Sequence, residues 1–588
     1  MKVIATAGHV DHGKSALVRA LTGIEPDRWD EEKRRGLTID LGFAWTQLQD
    51  ETIALVDVPG HQRFVTNMLA GVGAVPAVLF VVAADEGWSR QSSEHLDALQ
   101  ALGITHSVLA VTKADLADDV QLTSVRAYAH DRLTRAGLEP RSAIAVSART
   151  GTGLPALQAA LHDLAAQLPA PVTDGRVRLW IDRVFTIKGA GTVVTGTLGS
   201  GTLQLGDELA VGDSRFSIRG LQQLETGVDR AEAVSRVAVN LRGSDRTGLH
   251  RGGALLTPGA WWLTDQADVL IDPLLGELTE RQMVHIGSAA VPVRVRALGE
   301  RAARLTFDRP LPLQVGDRAV LRDPGQQAVT AGVHVIDPDP PELGRRGDAT
   351  RRGDDLSSGR AGTPPAQVER RGAIRAADLA RLGFTRPTDT DGVHTIDGWL
   401  VHDATWQRWQ HELTAAVTEQ AKNDPQQPGL VPDAIRRELG VPDSELFAAL
   451  VATIGLRTKD GRIGQPGVEQ SLGRAAGAFD WLAERWRDEP LYAPERDELL
   501  ERGLTTKDLA TAERAGVAIR LAPDLVVAPT AIEFTLQHLA ELDQPFTLSA
   551  ARQHLGTTRR VAVPLLELMD RRGLTVRDDD ARRRLTGP

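Results

Sequence analysis

Gly8-His9-Val10-Asp11-His12-Gly13-Lys14-Ser15 lies between a short apolar run, Val3 to Ala7, and a helix-forming stretch, Ala16 to Leu21. Its spacing is Gly-x4-Gly-Lys-Ser. Glycines at those positions let successive backbone N–H groups wrap a phosphate, while the lysine neutralises β and γ oxygens and the serine hydroxyl reaches Mg²⁺. The helix that follows turns its positive end toward the same anion. A Gly-rich strand-to-helix turn has the same look, and three further matches downstream separate the two readings. Arg35-Gly36-Leu37-Thr38 offers a threonine hydroxyl to the metal, and Asp57-Val58-Pro59-Gly60 closes the apolar run Ile53 to Val56 with a carboxylate and a glycine. These read as two switches, with Ser15, Thr38 and Asp57 on the metal side. Leu109-Ala110-Val111 then leads into Thr112-Lys113-Ala114-Asp115, whose carboxylate can accept hydrogen bonds from the N1–H and N2–H₂ edge of guanine. Adenine would leave that carboxylate unpaired at a cost of roughly 1–3 kcal/mol, so the nucleotide reads as GTP. Ser147-Ala148, after the apolar stretch Ala143 to Val146, completes the base pocket with backbone N–H groups. The basic residues are overwhelmingly arginine, yet Lys14 and Lys113 stand where a slim point charge or a stacking stem is needed.

A chain of 588 residues is too long for one core and reads as several domains. The net charge of −10 excludes a protein that coats nucleic acid over its whole surface, so any such surface is local. With no cysteine there are no disulfides and no thiolate metal sites, which fits a reducing cytoplasm. The N-terminus enters a strand at once and no apolar stretch approaches the ~20 residues of a membrane span, so the expectation is a cytoplasmic protein without a membrane segment.

From residue 1 to about 170, strand-like and helical runs alternate as in a parallel α/β sheet. Beyond Pro169-Ala-Pro171 the pattern changes to short β runs broken by Gly-Asp turns, which predicts two β-barrels, 174–260 and 261–338. Residues 339–365, rich in Pro, Arg, Gly, Asp and Ser, carry almost no apolar periodicity and read as a mobile linker. Four helical segments follow, 366–402, 403–467, 470–530 and 531–588, each with two or three short helices and a Gly-marked β pair, the plan of a winged helix. In the last one Pro564 either starts or kinks the helix candidate, and Gly573 stops it. Nine arginines against five acids between Phe546 and Pro588 give an acidic protein a basic end, a local nucleic-acid footprint. A charged solvated wing, or one docked on an acidic protein, has the same composition.

Along its whole length the chain resembles the bacterial selenocysteine-specific elongation factor family, SelB. The phosphate loop and Asp57-Val-Pro-Gly-His61 are similar to translational GTPases in general. Arg35 to Ala44, Asn67-Met-Leu-Ala-Gly71, the Thr-Lys-Ala-Asp variant, Gly189 to Gly196 and the four trailing modules with their arginine-rich wing look like SelB in particular. Thr112 departs from the asparagine most GTPases carry there, which bears on one hydrogen bond between loops and not on base identity.

The resemblance implies that the GTPase domain and barrels carry selenocysteyl-tRNA while the distal modules grip a hairpin in the message (SECIS), so that the ribosome receives the tRNA at UGA codons from a monomeric factor. It implies that Thr38 and Gly60 touch the γ-phosphate, and that His61 orients the attacking water behind an apolar gate of Val10 and Leu37. Asp11 either holds a monovalent cation or caps the loop. Selenocysteine's selenol is largely ionised near neutral pH and serine's hydroxyl is not, so a cationic pocket in the first barrel is expected. Asp182, Arg183 and Arg242 are its candidates, with Asn240 and Arg242 on one strand face and Lys188 behind them. Arg559, Arg560 and Arg577 are the candidate RNA contacts. Other readings stay open at this point: a general tRNA carrier, a GTPase regulating a metabolic enzyme, or a DNA-binding protein under GTP control.

Overall fold

The computed structural model describes residues 1–26, 38, 40–61, 64–73, 75–187, 191–243, 248–388, 391–424, 427–459, 461–466 and 472–586. Arg35, Gly36 and Leu37 of the first switch, Lys188, Gly189 and the module boundary at 467–470 lie outside them. The chain forms two units, Met1–Val393 and His394–Pro588.

In the first unit, six strands make the α/β sheet: β1 (Lys2–Ala7), β2 (Gly42–Leu48), β3 (Glu51–Asp57), β4 (Ala77–Ala83), β5 (His106–Thr112) and β6 (Pro140–Ala145), in the order β2-β3-β1-β4-β5-β6. All neighbours are parallel except β2, which runs antiparallel along β3. Alternate residues feed two cores, Val78, Phe80 and Val82 on one face, Leu79 and Val81 on the other, which is why β4 reads as an unbroken apolar run. The helices are α1 (Lys14–Thr22), α2 (Val65–Val72), α3 (Arg90–Ala101), α4 (Asp119–Arg135) and α5 (Leu154–Gln167). The loops after β1, β3, β5 and β6 gather at the carboxyl edge of the sheet, where open α/β sheets bind ligands.

Both expected barrels are present. In the first, strands between Arg178 and Leu256 close through the pairing of Glu208–Val211 with Ser214–Gln223. The second is a closed ring of six strands from Trp262 to Asp337. The carboxyl end of α3 docks on this second barrel so tightly that a Cβ on Gly332 would lie 2.5 Å from the Ala101 carbonyl oxygen.

The stretch read as a linker is folded instead. Helix Asp348–Ser357 lies on the second barrel, close enough that a Cβ on Gly353 would meet the Leu298 carbonyl oxygen at 2.2 Å. Leu356 and Ala361 fill a small core with Leu298, Ala302 and Ile336. Arg352 reaches Asp268 at 2.7 Å and Asp337 at 2.6 Å, and Arg304 reaches Asp268 at 2.7 Å, all four side chains buried. Apolar periodicity misses such a segment because its apolar anchors, Leu356 and Ala361, are few and its strongest tie is a buried, paired charge, Arg352.

In the second unit three segments repeat one plan, three helices and a hairpin. They comprise Asp403–Asn423, Pro432–Glu438 and Ser444–Thr453 with its hairpin to Gly464; Ala476–Asp488, Arg496–Glu501 and Thr506–Arg514 with its hairpin to Val527; and Ala531–Leu539, Leu548–His554 and Arg559–Arg571 with its hairpin to Leu585. Segment 366–402, expected as the first of four modules, is divided between the units, its helices falling in Met1–Val393. Helix Arg559–Arg571 begins five residues before Pro564 and runs through it, so the proline does not start the helix. Among the described residues no helix is long and apolar enough to cross a membrane.

Candidate functional site

Gly13, at φ 78°, takes a left-handed conformation open to glycine and aims the start of α1 into the loop mouth. Lys14 is buried there, its Nζ donating to the carbonyls of Gly8 at 3.1 Å and His9 at 2.8 Å. Ser15 Oγ lies 2.6 Å from Asp57 Oδ2 and 2.9 Å from Thr38 Oγ1. Thr6 donates to the other oxygen of Asp57 at 2.7 Å and fixes the carboxylate. This all-oxygen set of two hydroxyls and a carboxylate suits a hard cation such as Mg²⁺. Gly60 presses on the loop: a Cβ there would lie 2.5 Å from Val10 N and from Lys14 Nζ, so only glycine fits. The side chains of His9 and His12 turn away, His9 to Gln91 and His12 into the sheet, where burial pushes its imidazole down to about 4. Their backbone faces the loop. Asp11 is exposed at φ 65°, a left-handed turn position that aspartate tolerates.

Gly13, Thr112, Lys113, Asp115, Ser147, Ala148 and Arg149 line one cavity of about 720 Å³, so the phosphate and base loops share a single pocket. Thr112 Oγ1 donates to the His12 carbonyl at 2.6 Å, and the inter-loop bond that the missing asparagine had put in question is made by a threonine. Lys113 is held by Glu86 at 2.7 Å and Asp85 at 3.2 Å. The Ser147 hydroxyl and Arg149 hold the Asp115 carboxyl below the usual carboxylate range. Arg149, 2.6 Å from Asp115 Oδ2 and largely exposed, is a partner that sequence reasoning missed. His61 follows Gly60 and packs its ring against Phe64 at 5.9 Å.

The first-barrel candidates do not converge. Asp182 is buried and paired with Arg236, whose Nη2 sits 2.7 Å from Asp182 Oδ1 and 3.1 Å from Thr195 Oγ1. Arg183 crosses to the GTPase domain, 2.8 Å from Asp40 Oδ2 and 2.7 Å from the Leu41 carbonyl. Arg242 shares the outer face of strand Ser235–Arg242 with Arg236 and Asn240, as the alternation predicts, yet stands exposed six residues away. At ~3.3 Å per residue that is about 20 Å from the arginine on Asp182. A cavity of about 170 Å³ lies instead among Phe43, Arg183, Thr195 and Arg236, at the seam of β2 and the barrel. The Arg236 guanidinium stacks 4.0 Å above the Phe43 ring. Arg236 is the first polar position of the Arg-x-Ala-x-Asn-x-Arg alternation that ends at Arg242, and the alternation alone does not choose between the two.

In the last module Arg559 is exposed at the first turn of its helix and Arg577 is exposed on the wing. Arg560 is already engaged, 2.7 Å from Glu495 of the preceding module and 3.2 Å from the Pro494 carbonyl. Arg583, a wing arginine, is buried on Asp570 at 2.9 Å. Arg582 and Arg584 face outward.

Family models match three stretches: the elongation factor Tu GTP binding domain at residues 1–167, the selenocysteine-specific elongation factor β-barrel domain at 265–342 and the elongation factor SelB winged helix at 537–584. The selenocysteine-specific elongation factor of Escherichia coli (strain K12) is 32% identical over 98% of this chain and 97% of its own length. This chain belongs to the selenocysteine-specific elongation factor family. The family member of Desulfomicrobium baculatum is likewise 32% identical, over 99% of both chains. The crystal structure of a bacterial selenocysteine-specific elongation factor shares the fold over the whole of both chains, at TM-score 0.77 and 24% identity. SelB of Methanococcus maripaludis, in complex with the GTP analogue GppNHp, matches 59% of this chain and 80% of its own at TM-score 0.51 and 25% identity. Membership makes the chain a translational GTPase that hydrolyses GTP, and the expected architecture of GTPase domain, two barrels and winged helices holds.

Proposed function

We propose that the chain delivers selenocysteyl-tRNA to the ribosome at UGA codons under GTP control while its last winged helix holds a hairpin in the same message. The observation that carries this reading is the cavity where Arg183 and Arg236 meet Phe43 and Thr195. Two guanidiniums at one small cavity favour an ionised selenol over a neutral hydroxyl. One unit charge at ~4 Å and an effective dielectric near 20 is worth up to ~4 kcal/mol, of which desolvation and the carboxylates of Asp182 and Asp40 take back part, leaving a preference of about tenfold or more. Asp182 acts through Arg236, as the buried counter-ion that aims it. Arg242 has no part in this pocket.

At the nucleotide, the loop from Gly8 to Ser15 cradles the phosphates, Lys14 supplies charge at the β and γ oxygens, and Asp115 and the Ser147-Ala148 backbone read the guanine. Ser15, Thr38 and Asp57 would hold Mg²⁺, which when bound offsets charge developing between the β- and γ-phosphates. His61 orients the attacking water beside Val10, with positioning and charge stabilisation supplying nearly all the catalysis. The seam cavity begins at Phe43, three residues beyond the Asp40 that Arg183 grips, and five beyond Thr38. Ordering of the first switch by the γ-phosphate therefore reshapes a wall of the amino-acid pocket.

The test is binding of selenocysteyl-tRNA against its seryl precursor, with GTP and with GDP. Preference for the selenium form with GTP alone is the expected result. Equal binding of both tRNAs, or indifference to the nucleotide, overturns the reading.

A further inference from the structure

His95 is buried on α3 and bears on the phosphate loop from outside it. Its Nδ1 accepts a hydrogen bond from the Gly8 N–H at 3.1 Å, which places the ring proton on Nε2. That Nε2 is buried without a hydrogen-bond partner in this conformation, and the Gly60 backbone acts on the same ring. One turn earlier on the same helix face, Gln91 Oε1 accepts from the Val10 N–H at 3.3 Å and from His9. Burial pushes the His95 imidazole down to about 3, so the ring stays neutral, acceptor on one side and donor on the other.

We propose that His95 is a positioning residue that joins the first glycine of the phosphate loop to the glycine of the second switch and so sets the affinity for GTP relative to GDP. The two contacts act differently. Gly8 opens the loop that wraps phosphates common to both nucleotides, so the Nδ1 contact supports GTP and GDP alike. Gly60 belongs to the switch that answers to the γ-phosphate; it presses on Val10 and Lys14, and its backbone is a group that bears on the His95 ring. The donor is satisfied when the γ-phosphate draws the switch fully onto the loop, and is orphaned when the switch leaves. An orphaned buried donor is costly, so the contact favours the GTP form. The inference stands on the nucleotide site alone, independent of any tRNA or hairpin.

The experiment uses the full chain in Mg²⁺ buffer with N-methylanthraniloyl derivatives of GTP and GDP, their affinities read by fluorescence. His95→Asn keeps an acceptor near the Nδ1 position and withdraws the far donor. It is expected to hold GDP affinity within about twofold and to lower the GTP-to-GDP affinity ratio about tenfold, the equivalent of ~1.4 kcal/mol. His95→Gln reaches the Nε2 position and withdraws the near acceptor, so both nucleotides weaken by one factor and the ratio is kept. A ratio unchanged or raised in His95→Asn overturns the proposal, as does an equal fall of the ratio in both variants. Should a variant not fold, the wild-type chain decides by NMR: the imidazole Nε2 proton moves downfield with a non-hydrolysable GTP analogue and not with GDP, and the absence of that difference overturns the proposal.

Discussion

Charges in the nucleotide pocket are matched inside the chain, whereas those on the terminal wing point outward. Lys113 sits between Asp85 and Glu86, Asp57 takes hydroxyls from Thr6 and Ser15, and Asp115 holds Arg149. On the wing, Arg577, Arg582 and Arg584 are exposed, and only Arg583 is turned inward onto Asp570. A pocket built for one small ligand needs fixed distances, and fixed distances leave motifs with fixed spacing. A surface for a long polyanion needs a density of positive charge, which leaves composition and little register. Between these extremes lies the seam cavity, whose arginines are both paired and turned toward a space.

That contrast can be broken most sharply at the base. Asp115→Asn removes the acceptor of two charge-assisted hydrogen bonds, each worth about 1.5–3 kcal/mol, so GTP affinity falls by a hundredfold or more on the order of those energies. Xanthosine triphosphate, which carries an oxygen where guanine has its amino group, is expected to bind this variant more tightly than GTP does, and a fluorescence competition titration reads both effects. Next in size is the seam. Arg236→Met should reduce the preference for selenocysteyl- over seryl-tRNA by roughly tenfold or more, the worth of ~1.4 kcal/mol. Arg242→Met should leave that preference unchanged, and a loss as large as that of Arg236→Met would return Arg242 to the pocket.

On the wing, Arg577→Ala is expected to weaken hairpin binding several-fold and lower the slope of log affinity against log salt by about one, measured by filter binding across a salt series. GTP affinity should not move. The smallest effect is that of Arg560→Ala. Its pair with Glu495 is partly exposed, so unfolding should shift by no more than about 1 kcal/mol in a denaturant titration. The salt slope for RNA should stay as it was. A drop in slope equal to that of Arg577→Ala would show that Arg560 exchanges Glu495 for phosphate.

Legibility followed the same division. The phosphate loop, Asp57 and Asp115 were readable because backbone geometry ties residue type to spacing, and even the departure at Thr112 was local enough to resolve: a hydroxyl reaches the His12 carbonyl directly. The barrels showed in their turns. The choice between Arg236 and Arg242 was not readable, since both occupy one face of one strand and only the path of the neighbouring strand says which meets Asp182. Helix Asp348–Ser357 was hidden for a different reason: its anchors, Arg352, Asp268 and Asp337, are far apart in sequence and polar in type. His95 and Gln91 carried no motif at all, because what they support is another element's backbone.

The docking of Asp348–Ser357 on the second barrel also bears on reach. Under the proposed function, engaging the ribosome and a hairpin at once depends on the effective concentration of one end at the other, which falls roughly as the −3/2 power of a slack tether's length once that length exceeds the span. With Arg352 knotted to Asp268 and Asp337, this stretch lends no slack. Under that function, cutting the knot would lengthen the leash and cost avidity.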